Sequence, residues 1–301
     1  MPNWKDLTSE IQSAPQPYDT VRQKYLRQLQ EHTGRYAILY YSGWLQHPDV
    51  AGANPQAFSV SDSDQNFFMA AINGMNDRDR GLDLILHTPG GDSAATESLV
   101  DYLRAMFGTN IRAIVPQLSM SAGTMIACAC SSIVMGKHSS LGPIDPQFGG
   151  LAAHAIVDEF ESARVDITVD PNLALLWQPI LSKYPPTIVG DCIRAIDWSR
   201  ALATSWLVSG MFADRDDAPE CAQKVVAYLG DHNKTSTHAR HLSSTAAKAQ
   251  GLVIEDLEED DILQDLVLSI HHACIQTMAW GNVFKMVANS MGSVFYSNFQ
   301  I

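Results

Sequence analysis

Positive charge, long apolar runs and paired cysteines are all scarce in this 301-residue chain. Lys and Arg number 20 against 33 Asp and Glu, a formal charge of −13. No basic cluster offers a face for nucleic-acid phosphates. No apolar stretch approaches the roughly 18 residues of a membrane span, and Met1-Pro-Asn-Trp-Lys-Asp6 lacks the basic and apolar regions of a secretion signal. The five cysteines are scattered, and Cys128-Ala-Cys130 is not a Cys-x-x-Cys pair. Neither a disulfide framework nor a metal site is indicated. The expectation is a cytoplasmic protein with reduced thiols, binding no nucleic acid, membrane, metal or cofactor. Apolar residues, by contrast, make up 46% of the chain, enough for a substantial core.

The chain reads as alternating strands and helices, hence α/β. Residues 1–33 form an amphipathic helical cap, with Val21, Tyr25, Leu26 and Leu29 on one stripe. Residues 34–230 are the core, and residues 231–301 a helical extension packed on it. Tyr36–Tyr41, Leu84–His87, Ile111–Val115 and Ser132–Gly136 have the apolar, β-branched character of buried strands. The last helix carries Leu263, Leu266, Val267, Ile270, Cys274 and Met278 at helical spacing. The acidic tract Glu255–Asp261 before it reads as a solvated cap for the helix dipole.

Two strand ends carry the chemistry. The first runs into Pro89-Gly90-Gly91, where the missing Cβ atoms let backbone N–H groups approach a ligand. The second runs through Gln117-Leu-Ser-Met-Ser121 into a helix of small side chains, placing Ser121 on a sharp strand-to-helix turn as a candidate nucleophile. One helix separates the two stretches, so a right-handed crossover makes the two strand ends neighbours on one sheet edge. A small residue chosen only to fit the turn is the plain alternative for Ser121.

Three segments in order, His87-Thr-Pro-Gly-Gly-Asp92, Met120-Ser-Ala-Gly-Thr-Met125 and Leu141-Gly-Pro-Ile-Asp-Pro-Gln147, resemble the hallmarks of Clp/crotonase-fold serine peptidases. The likeness is to the serine dehydrogenase proteinase branch, related to signal peptide peptidase A, and extends from Trp44 to about Leu268. It implies a Clp/crotonase-like spiral of β-β-α units with a helical C-terminal extension. It implies a cytoplasmic, homo-oligomeric, ATP-independent serine endopeptidase acting on peptide or protein substrates. Ser121 would be the nucleophile, the N–H groups of Gly91 and Ala122 the oxyanion hole, and Gly90, Gly123 and Pro143 substrate contacts.

The general base departs from the Clp pattern. Where the Clp proteolytic subunit has a histidine about 25 residues past the nucleophile, this chain reads Ile144-Asp145-Pro146-Gln147. The signal peptide peptidase relatives use a lysine from a later helix, which makes Lys183, near the end of an apolar helix, the expected base. Asp145 would orient the base or bind substrate, or serve as a turn residue between Pro143 and Pro146. His238 and His241 are alternative bases, and surface-loop histidines are the plain reading of both. An acyl-CoA enzyme of the crotonase type, using the same pair of N–H donors, and a silent scaffold are the competing functions.

Overall fold

The computed structural model describes residues 4–13, 17–230 and 237–299. Its centre is a seven-stranded sheet. Strands β1 (Tyr36–Ser42), β2 (Leu82–His87) and β3 (Ile111–Val115) run parallel, paired β1–β2–β3. Beyond β3 the sheet continues in parallel through Ser132–Met135, which we label β5, to Ile254–Asp256, β10. Every residue of β1 and β2 is buried. Predominantly apolar runs of this kind belong to parallel strands covered on both faces.

Helices cover both faces. On one side Leu26, Leu29, Leu263, Val267 and Ile270 pack against Leu39, Ile85, Ile114 and Val134. They come from α2 (Pro17–Thr33) and the last helix, Asp261–Trp280. On the other side the core is built by α4 (Asp62–Ile72), α5 (Ser93–Phe107), α6 (Ala122–Cys128), α9 (Ile188–Ser209) and α10 (Ala218–Leu229). Asp92 caps α5 through the N–H of Ala95 at 2.8 Å. All seven residues of α6 are buried, as its small side chains require in a central helix.

The C-terminal part holds strands as well as helices. After the last helix the chain forms an antiparallel hairpin, β11 (Val283–Asn289) and β12 (Val294–Asn298), and β11 pairs with β1. The acidic tract is also partly structural. Glu255 lies on the edge strand β10 and binds Arg112 at 3.0 Å, while Asp260 caps the last helix through the N–H groups of Ile262 and Leu263. The chain also forms α1 (Trp4–Ser13), α3 (Pro48–Ala53), α7 (Ala153–Val169), β7 (Gln147–Phe148) and β8 (Leu151–Ala152).

A second, three-stranded sheet sits beside the C-terminal ends of the main strands. It joins β4 (Leu118–Ser119), β6 (Ser140–Leu141) and β9 (Leu242–Ser243). Strand β6 is parallel to β4 and antiparallel to β9. The segments leaving β4 and β6 and the segment entering β9 therefore lie at one end of this small sheet.

Candidate active site

Each of those three segments delivers a polar side chain to one cavity. Ser121 follows β4, Asp145 follows β6 and His238 precedes β9, and all three line one cavity of about 900 Å³.

The Ser121 turn is strained. Its backbone adopts φ 50° and ψ −116°, a region that non-glycine residues rarely enter and that clusters at functional sites. The turn is held by the bond from the Gly123 N–H to the Met120 carbonyl at 2.8 Å. Gly123 is required here for space, since a Cβ would come within 2.5 Å of Ser119 Oγ and Thr88 Cγ2. Although Ser121 stands at the N-cap position of α6, its hydroxyl does not cap the helix, which leaves it to face the cavity.

The Pro-Gly-Gly turn is laced to it. Thr88 donates its N–H to the Leu118 carbonyl at 3.1 Å, and Met120 donates to the Thr88 carbonyl at 3.0 Å. Gly90 has φ +105°, and a Cβ there would lie 2.5 Å from Ser121 Cβ and 3.0 Å from the Ala122 nitrogen. Only glycine brings the two loops this close. Gly91 is gripped from its other side by Val60. The Val60 N–H donates to Gly90 O at 2.7 Å, and the Asp92 N–H donates to Val60 O at 2.9 Å. In this parallel bridge the N–H of Gly91 points away from Val60. Among the described residues neither it nor the N–H of Ala122 has a backbone acceptor. Both residues line the cavity.

Asp145 is completely buried and His238 is 29% exposed. Nδ1 of His238 lies 2.8 Å from Asp145 Oδ1. A carboxylate only accepts, so this bond places a proton on Nδ1, and in the neutral ring that leaves the lone pair on Nε2. Gln147 Nε2 donates to the other carboxylate oxygen at 2.8 Å. Apolar side chains in the wall include Phe58, Met125, Ile144, Phe148 and Trp198.

His87, one residue before this machinery, plays a different part. It is fully buried, and desolvation pushes it down to about 3, so the ring is neutral. Its Nδ1 accepts from the Leu118 N–H at 3.4 Å, and its ring lies 4.5 Å from that of Trp44.

Several expected residues are placed elsewhere. Lys183 is exposed just past α8 (Ala174–Leu181), a helix with no buried residue, and it does not line the cavity. The apolar composition that made this helix look like core lies at the surface instead, so nothing there desolvates a lysine. His241 is exposed and also absent from the cavity wall. Of the three residues expected to contact substrate, Gly90 lines the cavity, whereas Gly123 and Pro143 are buried in packing outside it. The pairing of Asp145 with His238 and the bracing by Gln147 were not read from sequence. Partners 93 residues apart leave no local signal.

Comparison with known proteins falls on the same segment. The model of the ClpP-like SDH-type serine proteinases matches residues 55–178, which include Gly91, Ser121, Ala122 and Asp145 but not His238. Uncharacterized protein MJ0137 of Methanocaldococcus jannaschii is 41% identical over 98 residues, 33% of this chain and 34% of its own. Uncharacterized protein MJ1495 of the same organism is 34% identical over 102 residues, 34% of each chain. The chain thus spans about a third of the length of these curated relatives. A solved mutant of the 1510-N membrane-bound stomatin-specific protease aligns with a TM-score of 0.39 at 15% identity, covering 67% of this chain and 77% of that one. No helix among the described residues is long and apolar enough to cross a membrane. Through residues 55–178, the segment that supplies its strained serine and paired glycines, the chain resembles the ClpP-like SDH-type serine proteinases.

Proposed function

We propose that this chain is a serine endopeptidase in which Ser121, His238 and Asp145 act as nucleophile, general base and orienting carboxylate. The observation that carries the proposal is the 2.8 Å bond between His238 Nδ1 and buried Asp145, made at the wall of the cavity that Ser121 enters. Nε2 of His238 takes the Ser121 hydroxyl proton as Oγ adds to the substrate carbonyl carbon. The N–H groups of Gly91 and Ala122 stabilise the oxyanion, a role worth roughly 3 kcal/mol per donor. Collapse breaks the C–N bond while His238 returns the proton to the leaving amine. Water, deprotonated by the same imidazole, then releases the acyl group and restores Ser121.

Histidine suits this work without assistance, because its ordinary pKa lies near neutrality. Lys183 is exposed and outside the cavity. The substrates are peptides or proteins. The exposed apolar side chains of α8, Leu175 and Leu176, support assembly into a homo-oligomer. The five free cysteines support a reducing, cytoplasmic location. We include turnover of peptides without ATP in the proposal.

A fluorophosphonate probe followed by peptide mapping tests it. Covalent label is expected on Ser121, absent in Ser121→Ala and strongly slowed in His238→Ala. An unlabelled wild-type protein that retains coenzyme A would overturn the proposal in favour of acyl-CoA chemistry.

A further inference from the structure

The loop that grips Gly91 is itself fixed by a buried ion pair from the other end of the chain. Lys285 on β11 and Asp64 on α4 are 3% and 1% exposed, with Lys285 Nζ 3.0 Å from Asp64 Oδ1. Both hold the backbone on either side of Val60. Lys285 Nζ donates to the carbonyl of Ser59 at 2.7 Å. Asp64 Oδ2 accepts the N–H of Ser61 at 2.9 Å and the hydroxyl of Tyr40, also at 2.9 Å. Val60 in turn makes the two bonds that bracket Gly91, and its backbone lies so near that a Cβ on Gly91 would meet the Val60 nitrogen at 2.2 Å.

Such a pair needs a reason beyond stability. Taking two charges out of water costs about as much as their attraction returns, and apolar replacements are often neutral or stabilising. What an ion pair adds is direction, because each hydrogen bond to a charged group fixes an angle as well as a distance. Here the fixed object is the peptide segment 59–61, and the free donor it aims is the Gly91 N–H.

We propose that Lys285 and Asp64 are positioning residues that orient the Gly91 N–H toward the developing oxyanion, making the C-terminal hairpin a working part of the site. This rests on the peptidase reading above and extends it beyond residues 55–178, the matched segment.

The test is the charge-free double variant Asp64→Leu with Lys285→Met, compared with wild type and with Asp64→Asn. Peptide hydrolysis is expected to lose about 10- to 100-fold in kcat with KM within about twofold, since removing an oxyanion donor outright costs about 10²–10³. Amide hydrogen exchange at Val60 and Asp92 should accelerate at least about tenfold, with amides of β2 unchanged. Asp64→Asn, which keeps the shape and an acceptor, should move both readouts in the same direction by about threefold. It also serves if the double variant does not fold. Unchanged kcat, or unchanged exchange at Val60 and Asp92, would overturn the proposal. If wild type shows neither hydrolysis nor fluorophosphonate label, the peptidase reading fails, and the exchange measurement alone decides whether the pair fixes this loop.

Discussion

Asp145→Asn is the substitution whose effect the geometry constrains most. Asparagine has the shape of aspartate, so packing around this fully buried side chain is preserved. Its two terminal atoms are no longer equivalent, however. Gln147 Nε2 donates to one carboxylate oxygen and His238 Nδ1–H to the other. With Gln147 keeping its donor in place, the asparagine oxygen turns toward Gln147 and its NH2 group toward His238. The imidazole must then accept at Nδ1 and carry its proton on Nε2, the atom that should receive the Ser121 proton. The ring is still present, still oriented and in the wrong tautomer. For a Ser-His-Asp arrangement the same substitution costs about 10⁴ in kcat, or about 5.5 kcal/mol at 1.4 kcal/mol per decade. Initial rates on a fluorogenic peptide, with Tm measured in parallel, provide the assay. A fall of about 10³–10⁴ in kcat with KM unchanged and Tm within a few degrees is expected. If Asp145→Asn keeps more than about a tenth of kcat while Ser121→Ala abolishes hydrolysis, His238 does not depend on Asp145 and the triad is refuted.

Two further outcomes follow from other parts of the molecule. Lys183→Met should leave kcat and KM within about twofold of wild type, because the side chain is exposed and outside the cavity; a large loss would restore lysine as the base. Acid stability should depend on His87 and His271. Burial lowers both, His87 to about 3, and nearby His87, His272 and His138 lower His271 further. Their folded pKa values lie below the unfolded value of about 6.5, so the unfolded chain binds protons that the native chain refuses. The His87 contribution is complete above pH 6.5 and is lost as pH falls toward 3, at about 1.4 kcal/mol per pH unit or roughly 5 kcal/mol in all, and that of His271 is lost in the same direction. Urea unfolding between pH 7 and 4.5 should show a slope one proton shallower in His87→Phe, and equal slopes would rule out the buried neutral histidine.

The division between what was legible in sequence and what was not follows how far each feature reaches along the chain. Gly90 and Ser121 stand out in the sequence because each leaves a mark in its own few residues. A positive φ and a steric gap smaller than a methyl group leave glycine at one position, and small neighbours mark the turn at the other. The strands β1, β2 and β3 were equally visible, since burial on both faces demands an apolar residue at nearly every step. Lys183 misled because an apolar helix was equated with a buried one, and α8 has Leu175 and Leu176 in the open. The hairpin β11–β12 was hidden by its mixture of Val, Phe, Lys, Asn and Ser, which follows the last helix without strong alternation. The pairing of Asp145 with His238, itself named from sequence as an alternative base, was hidden more deeply. Strands β4, β6 and β9 are two residues each, too short for any hydrophobic period to register. Yet their pairing alone gathers Ser121, Asp145 and His238 at one end. A sheet this small contributes little to the core, and its register is nonetheless what converts three separate loops into one site. Slipping β9 by one residue against β6 would turn each of its side chains to the opposite face and displace the backbone leading to His238 by about 3.3 Å. That displacement is larger than the 2.8 Å hydrogen bond on which the proposed base depends.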